Sequence, residues 1–140
     1  MRRRAGGVPD DQGTVLLLTI GYVVLALLLA LVCADATSLY LAQKRADAVA
    51  DSAALAGADG FVLRSDGGDP VATLTHDGVR EQAADVVAAF DDVRLVTAGT
   101  PDGVSARVTV GTVWHPPILT LFVPDGVALH ATATSRNALD

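Results

Sequence analysis

Three histidines, one cysteine and sixteen carboxylates are the side chains of this chain with the chemistry to act as acids, bases, nucleophiles or metal ligands. Their spacing argues against each role in turn. His76, His115 and His130 are scattered, and no two have the close spacing of zinc ligands. His76 beside Asp77 reads as part of a helix start, and His130 as a residue on the polar face of a strand. Asp91-Asp92, and Asp47 with Asp51, read as solvated faces rather than as an acid/base couple. There is no glycine-rich phosphate loop and no nucleophile elbow. Cys33 stands alone inside an apolar run, which excludes an intrachain disulfide and a cysteine-based metal site. Lipidation or a covalent dimer contact is the chemistry open to it, and a small apolar side chain in lipid is the plainer reading. The residues before it, Ala30-Leu31-Val32, do not form a lipoprotein box. The chain reads as a non-enzymatic protein with no catalytic residue, no metal, no cofactor and no small-molecule substrate.

The elements that carry these residues are organised around one stretch. Gly13 to Ala34 is a run of 22 residues without a charged side chain. As a helix it spans roughly 33 Å, enough to cross a hydrocarbon core of about 30 Å. Asp35 to Ala58 contains no proline, and its first glycine is Gly57, so the same helix is expected to continue out of the lipid. Three segments follow: a polar N-terminal tail over residues 1–12, a transmembrane and projecting helix over 13–58, and a small extracytoplasmic head over 59–140. Arg2, Arg3 and Arg4 before the span, against Lys44 and Arg45 after it, place the N-terminus in the cytoplasm and the head outside, with the protein single-pass in the cytoplasmic membrane. From Asp35 onward fourteen acidic residues face seven basic ones, which excludes nucleic acid as a partner, because such binding rests on phosphate neutralisation. Ala34-Asp35-Ala36 fits a signal-peptidase pattern, and the alternative is therefore a small binding domain secreted by cleavage after Ala36. The apolar run exceeds the usual signal length, so a retained anchor with lipid as partner is the expectation.

The projecting half carries Ala42, Ala46, Ala50, Ala54 and Ala58 at strict i+4 spacing. Two readings stay open: a ridge of small side chains that lets another backbone approach closely, or the abundance of a good helix former. Gly57 and Gly60 end the helix, and Ser65 to Pro70 is a turn cluster. A second helix is expected from Asp77 as N-cap, with Glu81 in its first turn and an apolar stripe of Val79, Ala83, Val86, Val87 and Phe90. Strands are expected over Val93–Ala98, Val104–Trp114 and Val127–Arg136, the first two joined by a turn at Thr100-Pro101-Asp102-Gly103. In the second, Val104, Ala106, Val108, Val110 and Trp114 share one face, and Ser105, Arg107 and Thr109 the other. In the third, Val127, Leu129, Ala131 and Ala133 face the core. The fold class is α+β: a long N-terminal transmembrane helix continuing into a projecting helix, then a second helix packed on a small antiparallel sheet. Between the last two strands the connection Pro116 to Pro124 is unusually apolar. It is either a patch for a partner or the membrane surface, or a short turn tucked onto the core; the tucked turn is the expectation.

Gln12-Gly13 before the apolar run, then Ser38-Leu39-Tyr40-Leu41-Ala42-Gln43-Lys44-Arg45 and Ala46-Asp47-Ala48-Val49-Ala50-Asp51-Ser52-Ala53-Ala54-Leu55-Ala56, resembles the TadE/TadG-like pilus-assembly proteins of the Flp (tight adherence) system. Arg107-Val108-Thr109-Val110, the proline-containing apolar stretch, and Leu129 to Arg136 look like the strand–loop–strand ending of that family. The resemblance implies a bacterial pseudopilin-like membrane protein, acting by helix packing with other pilus-assembly or pseudopilin subunits in a pilus or secretion machine. It also implies a processing position at Gly13 and Thr14. A chain cut there would carry Leu18 at its fifth position, where pilins usually carry a glutamate, and this departure leaves an uncleaved membrane-resident role standing on at least equal terms with incorporation into a fibre.

Overall fold

The computed structural model describes residues 11–64, 67 and 71–136. Its first element, α1 (Asp11–Asp59), is one unbroken helix of 49 residues, about 74 Å long. It takes in Asp11 and Gln12 of the expected polar tail; the rest of that tail lies outside the described residues. α1 holds no proline, and Thr19, Thr37 and Ser52 turn their hydroxyls back onto the helix carbonyls of Val15, Cys33 and Val49 rather than opening it.

After α1 the chain forms a hairpin that the residues had not announced, β1 (Phe61–Arg64) paired antiparallel with β2 (Val71–Leu74). Both runs are four residues long, too short to establish an alternating pattern. The turn cluster Ser65–Pro70 joins them, and apart from Gly67 it lies outside the described residues. Next comes α2 (His76–Val87). Its N-cap is Thr75 rather than Asp77: the Thr75 hydroxyl accepts the Gly78 N–H at 3.1 Å, and the helix begins one residue later. Asp77 thereby becomes the acidic residue of the first turn, and Glu81 moves out of that turn.

The head is completed by β3 (Val93–Gly99), β4 (Ser105–Trp114) and β5 (Val127–Arg136), an antiparallel sheet in the order β3-β4-β5. The β3–β4 register shifts between Leu95 and Thr97, a bulge, whereas β4 and β5 pair without interruption from Ser105↔Arg136 to Trp114↔Val127. One sheet face carries Ala106, Val108, Val110, Ala131 and Ala133, all buried. The other carries Arg107, Thr109, Thr132 and Thr134, linked by a Thr109–Thr132 hydroxyl contact of 2.8 Å and by Arg107 Nε donating to Thr134.

Both helices cover the apolar face. α1 lies against β4 and β5, α2 against β3, and the two helices touch each other. The core is built from alanine and valine: Ala46, Val49, Ala50, Ala53, Ala54 and Ala58 of α1 meet Val79, Ala83 and Val87 of α2 and the sheet. Small side chains bring the layers close together. At Gly57 a Cβ would stand 3.0 Å from Val79 Cγ1 and 3.3 Å from Ala106 Cβ, so glycine is what permits that approach.

Three details of the strands differ from expectation. Val104 is outside β4 and exposed, because the Asp102 carboxylate accepts the N–H groups of both Val104 and Ser105 and holds them in the turn. Ser105, expected on the polar face, is buried, and its hydroxyl donates to Asp102 at 2.9 Å. Val127, expected to face the core, is exposed where β5 leaves the apolar connection.

Candidate interaction surface: the open span and its junction with the head

The two halves of α1 have opposite environments. From Gly13 to Ala34 nearly every side chain is exposed, among them Val15, Leu18, Leu25, Leu29 and Val32, and only Leu31 is partly covered. This segment is long and apolar enough to cross a membrane and fits a single-pass anchor. Cys33 lies in it, exposed and unbonded to sulfur. Gly13 and Thr14 lie in its first turns, within regular helix.

The second half is sheathed. Of the alanine series, Ala46, Ala50, Ala54 and Ala58 are buried and Ala42 is half-buried. The ridge is occupied by the chain's own α2 and sheet. What remains open on this half is the opposite side, with Tyr40, Leu41 and Leu55 exposed. Lys44 sits 5.8 Å from the centre of the Tyr40 ring and 3.4 Å from Asp47.

Polar contacts fasten the head to α1 at the point where the apolar run ends. Gln43 Nε2 donates to the carbonyl of His130 at 3.1 Å. Trp114 Nε1 donates to Ser38 Oγ at 3.0 Å. The backbone N–H of Ile118 donates to Asp35 Oδ1 at 3.2 Å. Asp35, the first charged residue after the span, is only 6% exposed, and its second carboxylate oxygen has no hydrogen-bond partner. Arg45 and Asp92 add an exposed ion pair at 3.4 Å, which contributes little on its own.

The connection Pro116 to Pro124 does not tuck onto the core, contrary to expectation. Pro116 is fully buried, but Leu121 is 92% and Phe122 81% exposed. The physical reason is that Asp35 and the loop's own turns fix its backbone in a shape that leaves the tip side chains exposed.

The residues with chemical potential are dispersed. His76 opens α2, where its Nδ1 accepts the Thr100 N–H at 3.4 Å, and His130 stands exposed on β5. His115 is exposed at the end of β4. Asp91 and Asp92 are exposed, and the Asp92 carbonyl accepts the Thr112 hydroxyl. Among the described residues, no three or more His, Cys, Asp or Glu side chains gather as a metal would require. The Asp102 carboxyl is held below the usual carboxylate range chiefly by the Ser105 backbone N–H, then by that of Val104, against an opposing cost of burial, with the Ser105 hydroxyl and Arg136 adding to the lowering. It stabilises the β3–β4 turn. The partners of Asp35 and Ser38 lie some eighty residues away, so the sequence carried no local signal for this junction beyond Asp35 being the first charge after the apolar run.

No curated protein and no solved structure matches the chain. Residues 13–60 match the model of a family described as putative Flp pilus-assembly TadE/G-like. The match begins at the first residue of the apolar run and ends one residue past α1, so it covers both the open span and the sheathed half. The likeness of this chain to the TadE/G-like Flp pilus-assembly family is thus shown over its long helix.

Proposed function

We propose that this protein is a non-enzymatic, membrane-anchored component of a Flp-type pilus-assembly or secretion apparatus, working through helix packing. The observation that carries this reading is the division of α1: an open apolar half of membrane-spanning length continues without a break into a half clamped beneath the head, and the family match falls on that helix. The alanine ridge acts as the spine on which the head is mounted. Lipid and the spans of other pilus-assembly or pseudopilin subunits are then the partners of the open half, where packing and close backbone approach drive association. The arginines at positions 2 to 4 keep the N-terminus in the cytoplasm and the head outside. Processing between Gly13 and Thr14 would leave the apolar run from Thr14 to Ala34 in place.

Release by cleavage after Ala36 is the less favoured reading. It would divide a continuous helix and remove Asp35 from its contact with Ile118. Photo-crosslinking distinguishes the two. A crosslinking residue at Leu18 or Leu25 is expected to yield adducts whose partner is identified by mass as another pilus-assembly subunit or a second copy. Adducts only from head positions such as Thr132, with none from the span, would overturn helix packing as the mode of action.

A further inference from the structure

We infer that the connection between β4 and β5 is a second membrane contact, a short apolar finger whose tip, Leu121 and Phe122, enters the lipid interface beside the span. The inference rests on α1 being a membrane anchor, and three features of the loop lead to it.

The first is position. The contacts between head and helix advance in order along α1, from Gln43 with His130, to Ser38 with Trp114, to Asp35 with Ile118. This progress of eight residues carries the head roughly 12 Å toward the apolar run. Asp35 immediately follows Ala34, the last residue of that run, so Ile118 is tied at the level where the helix leaves the lipid.

The second is rigidity. The loop is built to hold its shape with its tip uncovered. The Thr120 hydroxyl bonds the Pro116 carbonyl, and the N–H groups of Phe122 and Val123 both donate to the Leu119 carbonyl, at 2.9 and 3.1 Å. Gly126 closes the return with φ near 69°, where a Cβ would strike the Trp114 carbonyl at 2.7 Å. Pro116 is buried beneath, and Trp114 and Asp35 fix the base.

The third is chemistry. Ile118, Leu119, Leu121 and Phe122 are all exposed, and among the large hydrophobic side chains of the described head the last two are by far the most exposed. The nearest ionisable residues along the loop, His115 and Asp125, stand outside the apolar tip. The loop offers no Lys or Arg for anionic headgroups, so its affinity is for the apolar boundary of a zwitterionic bilayer. An apolar, rigid, uncharged tip at the lipid exit of an anchoring helix is matched to a bilayer surface rather than to water. Its effect is to fix the tilt and rotation of the head, since the head is then held at two points.

The test uses the full chain with Cys33→Ser, reconstituted in phosphatidylcholine vesicles. Single cysteines replace Leu121, Phe122, Leu25 in the span, or Thr132 on the open sheet face, and each carries an environment-sensitive fluorophore. Brominated phosphatidylcholine is then the quencher. Labels at 121 and 122 are expected to be quenched, more by bromines near the headgroups than by deep ones, in keeping with a depth of roughly 5–10 Å. The label at 25 is expected to respond most to deep bromines, and that at 132 to none. Quenching at 25 without quenching at 121 and 122 overturns the inference and leaves the anchor standing. Absence of quenching at 25 as well overturns the anchor itself. Protection of 121 and 122 from an aqueous quencher only when other subunits are added would assign the loop to a protein partner and equally overturn the inference.

Discussion

Ala50 is fully buried beneath the head, while Ala48, two residues away, faces solvent. Replacing Ala50 with Leu pushes three extra carbons into the α1–sheet interface. That interface is built from alanine and valine, and Gly57 already marks an approach too tight for an added Cβ. Overpacking of a closely fitted core costs about 1–3 kcal/mol. At a midpoint value of about 2 kcal/mol, the melting temperature of a domain this small falls by roughly 8–16 °C. Ala48→Leu adds the same volume to an exposed position and is expected to change stability by less than about 0.5 kcal/mol. Trp114 provides the assay, because its indole donates to Ser38 of α1 and its fluorescence reports the head leaving the helix. Thermal unfolding of the full chain in detergent, followed by this signal, gives both values. If Ala50→Leu melts where the parent chain does, the ridge is not covered by the head, and the account of α1 as a spine fails. An equal loss from Ala48→Leu would mean that helix propensity or insertion, not packing, sets the effect.

Three further outcomes are expected. Thr75→Ala removes the α2 cap and costs about 1 kcal/mol, whereas Thr75→Ser retains most of it; equal melting temperatures for the two would argue that the hydroxyl does not cap. Asp102→Asn lowers stability at neutral pH. Because the Asp102 carboxyl is held below its unfolded value, its contribution is complete above the aspartate range near about pH 3.9 and lost as pH falls through the folded value, so the two chains converge under acid. A gap that stays constant with pH would refute this. Asp35→Ala deprives the Ile118 N–H of its acceptor and is expected to speed hydrogen exchange at that amide by about tenfold, with Asp35→Asn closer to the parent; unchanged exchange in both would mean that the loop base does not depend on this contact.

Much of the architecture was legible because it rests on local pattern. The uncharged run, the absence of proline through Ala58, and the alternation in β4 and β5 are properties of neighbouring residues, and each led to the element observed. The hairpin β1–β2 is not legible in the sequence because four-residue strands are too short for a period to show. Thr75 and Asp77 have equally suitable capping side chains, and only the geometry of the Gly78 N–H decides between them. The loop at 116–124 departs from its expected burial for a different reason. Apolar composition predicts burial on average, but here the backbone is fixed by Asp35, a residue over eighty positions earlier. The alanine series was visible as a ridge, yet its spacing could not tell whether the backbone it receives is another chain's or its own. In the core it lies beside α2 and the sheet of the same chain.

The central claim is that the head stays attached to an intact membrane-spanning helix. Intact mass and N-terminal sequence of the protein, recovered separately from isolated membranes and from culture medium, test it most directly. The account predicts that the head is found in membranes with residues 14–36 still joined to it, whether or not the bond between Gly13 and Thr14 has been cut. A chain that begins at Thr37 and is recovered from the medium would contradict it.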